Sequence, residues 1–140
     1  MSKPTGVRLP VPPASISPDN AEHFQALEDG RLLLPRCDEC STVFWYPRHH
    51  CPTCGARTVS WVTASGRGVI YSFTVVRRGS GPYADVGPYV LAYVELDEGV
   101  RVLCNITGVG DMQSLNIGMP VEAVFDREPE TAVLLRFRPI

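Results

Sequence analysis

The sequence predicts a mainly β protein: a short N-terminal helix, a rubredoxin-like four-cysteine ribbon and a C-terminal barrel of five strands. Three observations carry this. Two Cys-x-x-Cys pairs are separated by ten residues, in the pattern Cys37-x2-Cys40-x10-Cys51-x2-Cys54. Five β-rich runs follow Trp61, divided by glycine- and proline-containing turns. The 140 residues, 44% hydrophobic and 20% charged, allow one barrel-sized core with a small stapled appendage.

In chain order, residues 1–16 hold Pro4, Pro10, Pro12 and Pro13, which neither continue a helix nor donate to a ladder, so an extended arm is expected. It lies on another surface or moves freely. The signals change at Ser17-Pro18-Asp19-Asn20, where Ser17 can cap, Pro18 fits a first turn and Asp19 complements the helix dipole. A helix over 17–30 follows, stopped by Gly30 and carrying a narrow stripe of Phe24 and Leu27 with Ala21 and Ala26. His23 reads as a residue of its polar face.

Residues 31–63 form the predicted ribbon. Leu32, Leu33 and Leu34 lead into the first cysteine pair, and Val43-Phe44-Trp45-Tyr46-Pro47 leads to the second through a short hairpin. Each Cys-x-x-Cys turn aims two thiolates at one point, and two such turns complete the tetrahedron that Zn2+ prefers. Four protein sulfurs leave no position for a reactive water, so Cys37, Cys40, Cys51 and Cys54 are read as ligands of a structural zinc, with iron the alternative ion. A thioredoxin-like dithiol would need a βαβ setting that is absent here. His49 and His50 are assigned to the surface of the hairpin. Trp45 and Tyr46 are assigned to a miniature core beneath the metal, with base stacking the alternative. Cys104, between Leu103 and Asn105 in an apolar run, reads as a buried inert thiol.

Residues 64–140 are expected to form a barrel of the OB type, with strands near 68–76, 89–96, 100–107, 121–125 and 131–137. Asp97-Glu98-Gly99 marks a tight hairpin between the second and third. Residues alternate through Val69-Ile70-Tyr71-Ser72-Phe73-Thr74-Val75, and Val133, Leu135 and Phe137 share one face, as a sheet with one buried side requires. Two connections interrupt the strands. Arg77 to Pro88 spans twelve residues with three glycines and two prolines and is the best candidate for a binding loop. Gly108 to Gly118 takes the place of the turn or short helix between the third and fourth strands.

Composition also excludes. A net charge of −2 and a pI near 5.9 give no general attraction to a phosphate backbone. No stretch reaches the roughly 20 apolar residues of a membrane span. Met1 to Pro13 lacks the apolar core of a secretory signal, so a reducing cytoplasm is the expected compartment and metal ligation the expected use of paired cysteines. No Gly-rich phosphate loop, Gly-x-Ser-x-Gly elbow or His-Glu-x-x-His helix occurs, and catalysis by this chain alone is not expected.

The chain from about Ser17 onward resembles the zinc-ribbon OB-fold proteins filed as domain of unknown function 35. The residues that carry this are Pro18-Asp19-Asn20 through Gly30-Arg31-Leu32, Cys37-Asp38-Glu39-Cys40, Tyr46-Pro47-Arg48 and Cys51-Pro52-Thr53-Cys54-Gly55. Gly68 through Thr74, Val94 through Gly99 and Ile117-Gly118-Met119-Pro120-Val121 complete it. The resemblance implies a non-catalytic accessory subunit. Its partner would be a thiolase or sterol-carrier-type thiolase homologue, in a two-plus-two heteromer, that cleaves acyl-CoA esters by retro-Claisen or retro-aldol chemistry in lipid, sterol or aromatic degradation. Some members are fused to a hydratase domain; a hydratase that acted with this chain would be a separate polypeptide. Charge and position nominate Arg36, Arg48, Arg67, Arg77 and Arg78 as candidates for the CoA phosphates, the alternative being that such arginines merely solvate the metal module. A pure scaffold and a single-stranded nucleic-acid module are the competing functions.

Overall fold

The structure is a computed structural model and describes residues 9–140; the first half of the predicted arm, residues 1–8, lies outside the described residues. The helix, α1, runs Ala21–Glu28 and begins later than predicted, with Asn20 at its N-cap position in place of Ser17. Asn20 serves the approach to the helix: its Oδ1 accepts from the Ser17 amide at 2.8 Å and its Nδ2 donates to Ser15 O and to the Tyr46 hydroxyl. The stop is as expected. Gly30 takes φ +72, its amide reaches Leu27 O at 3.0 Å and the Arg31 amide reaches Ala26 O at 2.9 Å, the paired bonds of a Schellman motif.

The ribbon is built on two antiparallel strands, β1 (Leu33–Cys37) and β2 (Val59–Thr63), registered with Leu33 opposite Thr63 and Cys37 opposite Val59. The second of these was not foreseen. Five further strands close the barrel: β3 (Arg67–Val76), β4 (Tyr89–Leu96), β5 (Arg101–Ile106), β6 (Pro120–Asp126) and β7 (Leu134–Pro139), in the order β3-β4-β5-β7-β6. Strand β7 starts three residues after the predicted Thr131, because residues 128–131 are used in a turn in which Thr131 Oγ1 bonds Glu128 O at 2.9 Å. The long β3 pairs with β4 along most of its length and with β6 at its start, and a bulge between Ile70 and Ser72 bends it between the two. Gly68 lies two residues before the bulge, opposite Leu96 on β4 and Val121 on β6, and a Cβ added there would lie 2.3 Å from Glu95 O.

Alternation fills the barrel. Ile70, Val90, Val94, Val102, Val121, Val133 and Phe137 point inward and are almost wholly buried. Leu27 of α1 and Leu32 and Leu34 of the ribbon join the same cluster, so helix and ribbon close part of the barrel's surface. A second, smaller cluster of Cys37, Phe44 and Cys51 lies under the cysteine site. Cys104 is 7% exposed, as an inert core thiol should be. His23 is a correction: it is 3% exposed, edge-on to Phe24 and Trp45, with Nδ1 3.3 Å from Leu33 O. The buried face of α1 takes in Ala26 and Leu27 of the predicted stripe and adds His23 to them. Among the described residues no helix is long and apolar enough to cross a membrane.

Candidate metal centre and ligand cleft

Each cysteine pair folds into the same turn. The Ser41 amide reaches Cys37 O at 3.0 Å and the Gly55 amide reaches Cys51 O at 2.9 Å; Cys37 N then bonds Thr42 O, and Cys51 N bonds Ala56 O, both at 2.9 Å. Both turns end on a left-handed residue, Ser41 at φ 62 and Gly55 at φ 78. This repetition places one buried and one exposed sulfur from each turn on a common point, and all four Sγ atoms lie within 4.8 Å of one another.

The donor set fits a tetrahedral ion. Metal–sulfur bonds of about 2.3 Å give sulfur–sulfur edges of about 3.8 Å, and the Cys37–Cys54 and Cys40–Cys51 separations are 3.5 and 3.6 Å. Backbone amides of Cys40 and Thr53 point at the sulfurs of Cys37 and Cys51 at 3.5 and 3.4 Å, which favours thiolate. Without a cation the four sulfurs conflict. The Thr42 hydroxyl and amide hold Cys40 low, at about 6. Cys54 is pushed up to about 12: the Ala56 backbone bond lowers it, but the neighbouring Cys37 and burial prevail. A divalent cation resolves this, because coordination deprotonates every ligand.

The aromatic residues divide differently from expectation. Phe44 packs beneath the metal site, whereas Trp45 joins the barrel cluster and Tyr46 is 39% exposed beside the helix. Both belong to the helix–ribbon contact. His49 and His50 are exposed as predicted, and His49 Nε2 is 2.6 Å from Asp19 Oδ1, which clips the ribbon to the start of the helix.

A cleft of about 230 Å³ opens where α1, the ribbon and the barrel join, lined by Gly30 to Leu32, Thr63 to Arg67, Glu122, Ala123 and Phe125. It holds two arginines, Arg67 and Arg31, the second of which was not among the five nominated. Arg31 is half-exposed and lies 3.6 Å from Asp29. The other nominated arginines are exposed elsewhere: Arg36 lies on β1 and reaches Ser41 O, and Arg48 lines a separate depression with Asp19 and Glu22. Arg77 and Arg78 follow the far end of β3. Arg67 opens that strand, ten residues before Arg77, a contour of roughly 30 Å at about 3.3 Å per residue. The five do not converge on one site.

The outer face of β3, β4 and β5 is apolar at its centre. Tyr71, Leu91, Tyr93 and Leu103 are each 36–53% exposed there, with Tyr93 directly opposite Leu103, and the Arg101 guanidinium stacks 3.8 Å over the Tyr71 ring.

Comparison with known proteins agrees with this architecture. Residues 24–60 match the family described as ChsH2, rubredoxin-like zinc ribbon domain, and residues 61–126 match ChsH2, C-terminal OB-fold domain. A probable enoyl-CoA hydratase alpha subunit of Thermomonospora curvata is 37% identical over 98% of this chain, which spans only 41% of that relative's length. A DUF35 domain-containing scaffold protein of Methanocaldococcus jannaschii is 38% identical over 71% of this chain and 70% of its own. Among solved structures, a chain of the Ltp2-ChsH2(DUF35) aldolase superposes with a TM-score of 0.80 at 36% identity, covering 90% of this chain and 98% of that one. With its cysteine ribbon packed on a closed five-stranded barrel, the chain belongs to the DUF35 family of zinc-ribbon, OB-fold proteins.

Proposed function

We propose that this chain is a non-catalytic accessory subunit of a thiolase- or aldolase-type enzyme that cleaves acyl-CoA esters, and that its four cysteines hold a structural Zn2+. The observation that carries the reading is the 36% identity, over nearly the whole of the matched chain, to the DUF35 component of a structure titled as an aldolase. Relatives named as scaffold proteins favour the same role.

The chemistry of the chain is consistent with assistance. Cys37, Cys40, Cys51 and Cys54 would fill every position of a tetrahedral ion, whose contribution is to hold the two turns together. Cys104 is pushed up to about 12 by burial and stays protonated at neutral pH. His23 is held inside the helix–ribbon contact. The apolar face around Tyr93 and Leu103 suits a chain that works in contact with another subunit.

Within this reading the cleft at the ribbon–barrel junction receives the phosphate end of the CoA ester, with Arg67 and Arg31 as its cations, since guanidinium pairs with phosphate through two parallel bonds. The acyl end is left to the partner's catalytic groups, by retro-aldol or retro-Claisen cleavage.

The test is affinity purification of the tagged full chain from its own cells. Partners are identified by mass spectrometry, and the material is assayed for cleavage of β-hydroxy- and β-keto-acyl-CoA esters. A stoichiometric thiolase-like subunit whose activity is lost when this chain is removed is the expected result. A chain that purifies alone, or with nucleic acid, overturns the reading.

A further inference from the structure

Arg136 is 1% exposed, yet it points outward from the barrel. Its neighbour Phe137 faces the core, so alternation along β7 turns Arg136 to the same side as Arg138, which is exposed and paired with Glu122. An arginine on an outer face is buried only if something lies over it. Here that cover is the segment Leu9–Val11, whose two apolar side chains, two residues apart, are 5% and 4% exposed.

The guanidinium binds the backbone of this segment. Nη2 donates to Pro10 O at 2.5 Å, and Nη1 reaches Leu9 O at 3.5 Å while pairing with the Asp126 carboxylate on β6. Pro10, Pro12 and Pro13 hold the segment extended before it docks, which lowers the entropy lost on binding. The same Nη2 stands 3.5 Å from the hydroxyl of Tyr83. Tyr83 belongs to the twelve-residue connection 77–88, where it closes the short 3-10 turn Gly81–Tyr83 and lies against the Tyr89 ring at 5.0 Å. The backbone bonds of this connection, Tyr83 N to Ser80 O, Ala84 N to Gly81 O and Val86 N to Tyr83 O, all stay inside it. Among the described residues, the hydrogen bond that ties this connection to the rest of the molecule is the one the Tyr83 hydroxyl accepts from Arg136.

We propose that Leu9–Val11 is a strap that fixes the loop 77–88, with Arg136 as the positioning residue that joins them. Lifting the strap exposes Arg136 to water, removes the cover beside Tyr83 and frees the loop. The inference does not depend on what the protein's partner is.

Backbone 15N heteronuclear NOEs on the full chain test it. In Leu9→Ser/Val11→Ser, which leaves Arg136 and Asp126 in place, the NOE is expected to fall both at Val11, Ala14 and Ser15 and at Gly79 to Ala84. In Tyr83→Phe it is expected to fall in the loop alone, with the strap and the urea midpoint little changed. Neither variant removes a member of the buried Arg136–Asp126 ion pair, so both are expected to fold. A strap that loosens while the loop keeps its wild-type values, or a double variant whose strap stays rigid, overturns the proposal.

Discussion

At the scale of single residues, two buried polar groups govern the response to mutation and pH. Arg136 and Asp126 form an ion pair with side-chain exposures of 2% and 13%, and losing one partner strands the other charge away from water. Arg136→Met should lower the unfolding free energy by about 3–5 kcal/mol, and the Arg136→Met/Asp126→Leu double variant should recover part of that; urea titration of the three proteins checks both. His23 contributes to stability in the opposite sense to a histidine that gains an acidic partner. Burial, only partly offset by the bond to Leu33 O, holds its pKa below the ordinary 6.5. The unfolded chain thus binds the proton more readily. Stability is complete above about pH 6.5, falls as pH drops from there toward the lowered folded value and then levels. His23→Gln should remove this component of the slope, measured as the difference in urea midpoint between variant and wild type at matched pH. Neither group was legible in the sequence. Strand alternation puts Arg136 outside, and its cover comes from a segment 126 residues away. A helix with so narrow an apolar stripe leaves the docking face ambiguous, and the aromatic ribbon segment decides it.

At the scale of elements, the ribbon and the barrel rest on different sources of stability. The cluster beneath the four cysteines has Cys37, Phe44 and Cys51 buried, with Ala56 and Val59 beside them, too little to order both turns without a cation. Chelation at neutral pH should therefore abolish amide protection across residues 37–58 while strands β4 and β5 retain theirs, read by hydrogen exchange with mass spectrometry; simultaneous loss throughout would mean that ribbon and barrel are one cooperative unit. The barrel depends on close backbone contact at its corner. Gly68 faces Glu95 O at a distance no Cβ can occupy, so Gly68→Ala must push β3 and β4 apart and should cost about 1–3 kcal/mol, visible as a lowered Tm. The barrel strands were readable because alternation and glycine turns are local, and the hairpin at Asp97-Glu98-Gly99 is where it was expected, with Gly99 at φ 90. Strand β2 was missed because Val59, Trp61 and Val62 are only half-buried while Ser60 and Thr63 are exposed, so no clean alternation marks it; its partner is β1, more than twenty positions earlier.

At the scale of the whole molecule, the cysteine spacing sufficed to bring four sulfurs to one point that could hold a metal ion, since two local turns need only a hairpin to meet. The ligand cleft was legible only in part. Arg67 was nominated by its place near the ribbon–barrel junction, but Arg31 joins it only because the Schellman turn at Gly30 swings the chain from α1 into the ribbon beside the start of β3. Arg77 and Arg78 fail to join them because β3 carries them to the opposite end of the barrel. This separation gives a discriminating experiment on the complex proposed above. If the junction cleft receives CoA phosphates, Arg67→Ala removes one charge-assisted contact of about 1.5–3 kcal/mol, roughly a ten- to hundredfold rise in Kd for the CoA ester. Arg31→Ala should act in the same direction but more weakly, because part of its charge is already engaged by Asp29. Arg78→Ala should leave the affinity unchanged. Isothermal titration of the complex with a non-hydrolysable acyl-CoA analogue separates the cases. A rise confined to the Arg67 and Arg31 variants supports a subunit that holds substrate, whereas unchanged affinity in all three, with the partner still bound, assigns this chain to scaffolding alone.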